Sequence, residues 1–388
     1  LDAERWLDAI EHSQALPDRM VVADEEQFRT LPSSIAAARA YRAMAFGDIP
    51  STVTYAQQAL DLLPEGDHQW RWAASSLLGL ALYWNGDLEA ANGFLANLMA
   101  DMKRTGNIPD AISLAFLLAD IRITLGRLHE AAAVCQQILQ LAASQGEPIG
   151  TSDLYRGLSE LSCEWGDLQT AVQHLQQGEE LGKQAALTDW LYRLCITKAY
   201  IKEAQDDLEG AVNLLIEAEH HYVGSPLPDV RPTAALKTRL LLKQGHLIEA
   251  LAWANEQELS TDSELSYLRE FEHITLARLL IASYRNSGEE QTIQDAGKLL
   301  ERLLEAAQEG GRMGSVIEIL ILQALELEAQ GEIPGALAPL ERALTLAEPQ
   351  GYIQTFINEG PPMFRLLSVA ATQEIMPDYT QKLLAAFT

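Results

Sequence analysis

The chain has 388 residues, is 48% hydrophobic but only 7% aromatic, and carries 55 acidic against 28 basic side chains, for a formal net charge of −27. That balance excludes the clustered Lys and Arg that phosphate contacts need, so this segment is not expected to touch nucleic acid; the charge suits a solvated outer face or an acidic groove for a cationic partner. No run of about 18 apolar residues exists to span a membrane, and Cys135, Cys163 and Cys195 form no CxxC pair and sit among apolar neighbours, as free thiols of a reducing, cytoplasmic protein do.

In chain order, Leu1-Asp2-Ala3-Glu4-Arg5-Trp6-Leu7 already reads as helix interior with no signal peptide, and the chain is expected to be part of something longer. A motif of glycine, a polar residue and then Leu or Ile follows as Gly47-Asp48-Ile49, Gly86-Asp87-Leu88, Gly126-Arg127-Leu128 and Gly166-Asp167-Leu168. It returns as Gly245-His246-Leu247 and Gly331-Glu332-Ile333. Asp206-Asp207-Leu208 holds Asp206 in the glycine's place, and Gly288-Glu289-Glu290 is a decayed copy. The copies are spaced 39–43 residues apart, a period that predicts a helical repeat solenoid.

With the glycine as position zero, the fifth residue after it is Ala91, Ala131, Ala171, Ala211, Ala250 and Ala336, and the seventh before it is mostly small, as in Gly79, Ala119, Ser159, Ala199 and Ala324. Small residues at both places let two antiparallel helices approach closely. The glycine ends the first helix (A) in a left-handed cap, a following Asp caps the second (B), and the next Leu or Ile opens its apolar face. Return loops are marked by Pro64-Glu65-Gly66, Gly106-Asn107-Ile108-Pro109, Gly146-Glu147-Pro148, Pro226 to Pro232, and Gly310-Gly311. Eight turns are visible, with a partial ninth unit at the start. The expected fold is all-α: a right-handed superhelix of tandem antiparallel helix hairpins, a TPR-like solenoid of period about 40 over residues 1–350. Residues 351–388 read as a capping segment, an ordered loop leading into a helix near Met363 and a final helix from about Asp378.

The period exceeds the 34 residues of the tetratricopeptide pattern, and several blocks point to a narrower group. These are Leu268-Arg269-Glu270-Phe271-Glu272-His273-Ile274-Thr275, Gly310-Gly311-Arg312, Ala336-Leu337-Ala338-Pro339-Leu340-Glu341-Arg342, Ala347-Glu348-Pro349-Gln350-Gly351-Tyr352 and Glu359-Gly360-Pro361-Pro362-Met363. On them the chain resembles the helical-repeat region of the large ATP-dependent LuxR-type transcription regulators, maltose-regulator-like. The resemblance implies that a P-loop ATPase precedes the repeats and a helix-turn-helix domain follows in the full-length chain. It also implies that the repeats sense an inducer and pass the signal to ATP-driven oligomerisation. This sequence has no GxxxxGK[ST] loop, Gly182-Lys183-Gln184 lacking the upstream glycine and the hydroxyl residue, and no basic recognition helix before Thr388.

Nothing in the sequence points to catalysis, a cofactor or a metal. His220-His221 is the one histidine doublet, and adjacent helical residues diverge by about 100°, unlike an i, i+4 pair. Glu179-Glu180, Asp206-Asp207 and Glu289-Glu290 are doublets of a wet face, and no nucleophile carries a local signature. Positions 13, 10 and 6 before the glycine share one face of helix A and would line the inner wall. They place Asp153, Arg156, Glu160, Arg193, Tyr200 and Arg239 toward a groove, where guanidinium forks suit a carboxylate or phosphate. The same arginines can instead pair with Asp153 and Glu160 and staple neighbouring repeats. Trp190 and Tyr192, with Trp70, Trp72, Tyr83 and Trp84, are candidates to stack on a sugar or base, or are packing residues. The expected function is a non-enzymatic, effector-sensing, signal-transducing repeat domain of a LuxR-family regulator that takes a small-molecule inducer. The alternative is a scaffold that holds a partner protein's peptide or helix in its concave groove. A closed, partly apolar pocket separates the first from the open groove of the second.

Overall fold

Each A helix ends where its glycine takes a left-handed backbone, and that reversal generates the architecture. The computed structural model describes residues 25–63, 68–146, 150–183, 189–224 and 227–387. The expectations placed on Leu1–Leu7, on the loop residues 64–66 and 147–148, on Gln184 and on Pro226 lie outside these. Among the described residues there are nineteen α-helices, two 3-10 turns and no strand, an all-α solenoid of helix hairpins.

The chain divides into two compact units, residues 1–106 and 107–388. In the first, α1 (Glu25–Ala45) pairs with α2 (Ile49–Leu62), and α3 (His68–Trp84) with α4 (Leu88–Thr105). Its core is built from small residues: Ala40, Ala56 and Ala81 are sealed beside Met44, and Ala36, Ala59 and Ala74 form a second nest. Trp72 donates from its indole N–H to Asp101 at 2.9 Å, tying α3 to α4. Tyr83 is fully buried and Trp84 packs on the core, while Trp70 stays partly exposed.

The second unit contains five A/B hairpins with clear turns: α5 (Ile108–Thr124) with α6 (Leu128–Gln145), α7 (Thr151–Glu164) with α8 (Leu168–Gly182), α9 (Trp190–Ala204) with α10 (Leu208–His221), α11 (Thr233–Lys243) with α12 (Leu247–Glu256), and α15 (Met313–Ala329) with α16 (Ile333–Ala347). Between the last two, α13 (Glu270–Ser287) and α14 (Glu290–Glu309) form the hairpin with the decayed turn. A single helical turn α17 (Gln354–Ile357) and the helices α18 (Pro361–Thr372) and α19 (Pro377–Ala385) finish it. Phe356, Met363, Leu366 and Leu367 are fully buried, and the Tyr379 hydroxyl donates to the Tyr352 carbonyl.

The turns repeat one hydrogen-bond pattern. Gly166 N–H reaches Cys163 O at 2.9 Å and Asp167 N–H reaches Ser162 O at 2.9 Å, the two bonds that close a helix end around a left-handed residue. The pattern recurs at Gly47, Gly86, Gly126, Gly245 and Gly331, with φ from +71° to +82°. Gly288 makes only the simpler bond to Tyr284 O. Asp48, Asp167 and Asp207 then accept from the backbone N–H three residues on and start the B helix. The small columns meet as the pattern requires. Ala91, Ala131, Ala171, Ala211, Ala250 and Ala336 have no exposed surface. Ser159 donates across the interface to Ala171 O at 2.8 Å, and at Gly79 a Cβ would come within 2.1 Å of the Leu95 side chain.

The second unit also closes on itself, which the repeat pattern does not foretell. A Cβ on Gly126, after α5, would sit 2.9 Å from Met313 Cβ, and one on Gly314 would sit 3.2 Å from Ile123 O; α5 and the start of α15 are in backbone contact. Residues 350–355 cross the end of α7: Trp165 donates to Gln350 O at 2.9 Å and Ile353 N–H to Glu164 O at 3.0 Å. The Glu164 carboxylate accepts both the N–H and the hydroxyl of Thr355, at 3.0 and 2.9 Å.

Asp206 adopts φ +62° where the other copies have glycine, a conformation that costs a residue with a Cβ about 1–2 kcal/mol. Asp206→Gly should raise the stability of the chain by about 0.5–1 kcal/mol, net of the greater entropy of glycine in the unfolded chain, read as a higher urea midpoint. Ala211→Leu, which forces a larger side chain between α9 and α10, should lower it by about 1–3 kcal/mol.

Candidate functional site

The closure bounds a partly open chamber of about 640 Å³ within the second unit. The last turns of the A helices wall one side of it: Glu160, Tyr200, Arg239, Ala282 and Leu325, all six residues before their turn, line it in succession. Positions three and two before the turn line it as well, through Glu203 and Arg285 and through Glu164, Lys243 and Asn286. The loop before α11 adds Arg231, and the crossing segment supplies Tyr352, Gln354, Thr355 and Glu359. Leu236, Leu240, Ile274, Ile281 and Leu322 make the apolar floor.

Charge in this chamber is organised around one carboxylate. Glu318 on α15 accepts from Arg239 at 2.7 Å and from Arg278 at 2.8 Å, and Arg278 also reaches Glu359 at 2.6 Å. Arg239 lies over the Phe271 ring, 3.5 Å from its centroid, and donates to Thr275 Oγ1 at 2.8 Å. Burial opposes the charge on Glu318, but Arg239 and Arg278 overcome it and hold the carboxyl at about 2. Burial lowers the Arg239 guanidinium, which shares its one carboxylate with Arg278, to about 10. Glu164 lies deep under the crossing segment. Burial raises its carboxyl to about 7 against the pull of the Thr355 hydrogen bonds.

The residues expected to face the groove divide between two places. Glu160, Tyr200 and Arg239 line the chamber. Asp153, Arg156 and Arg193 form a packed cluster between α7 and α9. The wholly buried Asp153 takes both guanidinium nitrogens of Arg193 at 2.7 and 3.1 Å, and Arg156 meets Glu160 at 2.5 Å. Both arginines lie over the Phe116 ring of α5, at 5.4 Å (Arg156) and 5.0 Å (Arg193). Trp190 is buried against Gly178 and Gly182, and a Cβ on Gly182 would collide with its ring; Tyr192 tilts against Tyr222. The column reading runs through Arg278 at position ten and Glu318 at position thirteen without singling them out, and it misses Glu359, which joins them in one network, and Glu164 with its crossing segment. Continuing the helical column from position six to positions three and two would have found Glu203, Arg285 and Glu164; the contact with residue 355 has no local signal.

Among the described residues no helix is long and apolar enough to cross a membrane. A family model described as the MalT-like TPR region matches residues 33–373. No curated protein matches the sequence significantly. Among solved structures, a Rap protein complexed with competence and sporulation factor superposes with a TM-score of 0.60 at 11% identity, covering 90% of this chain and 94% of the other. The apo quorum sensor NprR of B. thuringiensis gives 0.51 at 12% identity, covering 89% and 97%. A STAND signal-transduction ATPase with a tetratricopeptide repeat sensor from Pyrococcus horikoshii gives 0.51 at 11% identity, covering 93% of this chain and 56% of that one. At these identities the structures share the fold.

Two buried carboxyls give opposite pH dependences. The Glu318 contribution is complete above its unfolded value of 4.5 and disappears as pH falls toward 2. Glu318→Gln, which leaves buried guanidiniums short of a counter-charge, should cost about 3–5 kcal/mol at neutral pH. The Glu164 contribution is complete below 4.5 and is lost as pH rises through about 7, on the order of 2–3 kcal/mol. Glu164→Gln, which can keep both contacts with Thr355, should therefore flatten the stability profile between pH 4.5 and 8. Urea midpoints measured across pH test both.

Proposed function

Since the chain belongs to the MalT-like TPR family, we propose that its second unit is the effector-sensing part of a non-enzymatic, signal-transducing repeat domain, and that the chamber is the effector site. The size and mixed lining of the chamber carry this reading. About 640 Å³ is the size of sites that bury a small ligand, and its lining mixes an apolar floor with fixed guanidinium and carboxylate groups. Glu160, Tyr200 and Arg239 are the proposed contacts from the repeats, with Arg278 and Glu318 beside them. Asp153, Arg156, Trp190 and Arg193 serve as the frame behind them. The limited volume, bounded by the crossing segment, supports a small-molecule inducer over a partner's helix, which needs a long, continuous groove. The Rap structure holds a signalling factor and NprR is a quorum sensor, roles that agree with a sensing solenoid.

An occupant would touch the A helices α7, α9, α11, α13 and α15 on one side and Tyr352, Thr355 and Glu359 on the other. Its binding energy then biases how the crossing segment sits on α7, a shift between two states set by differential affinity. Placement in a cytoplasmic LuxR-family transcription regulator, with an ATPase before the repeats and a DNA-binding domain after them, completes the proposal.

The test is a thermal-melt screen of the purified chain against metabolites and short oligosaccharides, repeated with Ser315→Phe, which fills the chamber. A ligand that binds only the folded state adds about 2.7 kcal/mol at a hundredfold excess over its dissociation constant. The expected result is a dose-dependent shift from one compound class that Ser315→Phe abolishes. A shift that survives the filled chamber, or a flat screen beside capture of a partner peptide, would overturn the assignment.

A further inference from the structure

The hairpin of α9 and α10 carries a second cluster of chemistry away from the chamber. Cys195 on α9 and Glu217 and His221 on α10 place a thiol sulfur, a carboxylate oxygen and an imidazole nitrogen within 4.8 Å of one another. Glu217 and His221 stand four residues apart on one face of α10, with Nε2 and Oε1 3.7 Å apart. Cys195 is buried beside Ala218 and faces them from the other helix. His220, its neighbour in the doublet, is exposed and takes no part. We propose that Cys195, Glu217 and His221 form a site for a zinc-like divalent transition metal.

The donor set selects the ion. Thiolate and imidazole are poor ligands for magnesium or calcium and good ones for zinc, which takes Cys, His and carboxylate at about 2.0–2.3 Å in a tetrahedron. Donors bound at those lengths stand roughly 3.3–3.8 Å apart, so the His221–Glu217 pair is already at ligand spacing. Cys195 lies no more than 4.8 Å from either donor, so closing the site asks only small rotations of the partly exposed Glu217 and His221 side chains.

A second observation points to a ligand at the same place. His221 lines a separate cavity of about 440 Å³ together with Glu179, Asp189 and Trp190. Asp189 is only 7% exposed, yet while its Oδ1 accepts Val223 N–H at 3.0 Å, its Oδ2 has no hydrogen-bond partner among the described residues. Three protein donors leave a fourth position for water or an exchangeable ligand, and the cavity reaches the site at His221. The ion would clip the open end of the hairpin, opposite the strained turn at Asp206.

The experiment titrates the reduced full chain with Co(II), then with Zn(II) in competition. The expected result is one ion per chain, with a thiolate-to-cobalt charge-transfer band in the near ultraviolet that Zn(II) bleaches. Cys195→Ser should remove the band. His221→Gln, at the last position of α10 where the fold is not at stake, should weaken binding by at least about tenfold. His220→Gln, Cys135→Ser and Cys163→Ser should leave both band and affinity unchanged. Binding that ignores His221→Gln, a cobalt spectrum without a thiolate band, or no stoichiometric uptake by the reduced chain would overturn the proposal.

Discussion

Everything in this protein that repeats follows from one backbone constraint, the left-handed residue that ends each A helix. With φ near +75° the chain reverses in two residues, and the carbonyls at the helix end are satisfied by the turn's own N–H groups. The reversal brings position seven before the turn against position five after it, so both must be small. In the second unit the same geometry carries the A helices to a common end, and side chains of their last turns look into the chamber. The spacing that sets the fold therefore also sets which residues face an occupant.

The chamber's lining is nearly balanced in charge, six carboxylates against five basic side chains, where the chain as a whole is strongly acidic. A molecule of net charge −27 holds Arg231, Arg239 and Arg278 around Glu318 and Glu359 in its interior. Most of this charge is already paired, and a pair that far from water contributes little net stability; removing one member is what costs. Such an array is suited to being rearranged by a ligand that offers its own carboxylate or cation. The cluster of Asp153, Arg156 and Arg193 is different in kind: its groups are engaged by one another, by Glu160 and Thr197, and by the Phe116 ring, so it holds α5, α7 and α9 in register.

The fold was legible because its determinants are local. A glycine, a capping aspartate and two small columns recur within each period, and even Asp206 could be recognised as a substituted copy. The site was half legible. The inward face of helix A follows from helical spacing, and position six before the turn does line the chamber in five hairpins. Positions ten and thirteen divide: Arg156 and Asp153 turn into the packing between hairpins, while Arg278 and Glu318 reach the chamber. The crossing segment was invisible, since Glu164 and Thr355 are 191 residues apart and neither belongs to a motif. The doublet His220-His221 drew attention to the wrong neighbour: the pairing that matters is four residues back, at Glu217, and across to Cys195.

The closing contact also bears on how this chain can change over evolutionary time. An open solenoid lengthens or shortens by whole repeats, because each hairpin answers only to its neighbours. Here Gly126 must meet Gly314 and Glu164 must meet Thr355, so one hairpin more or fewer between them would carry the partners past each other. The closure freezes the repeat count between α5 and α15 and leaves duplication free only outside that interval. Inside it, diversity can enter only through side chains.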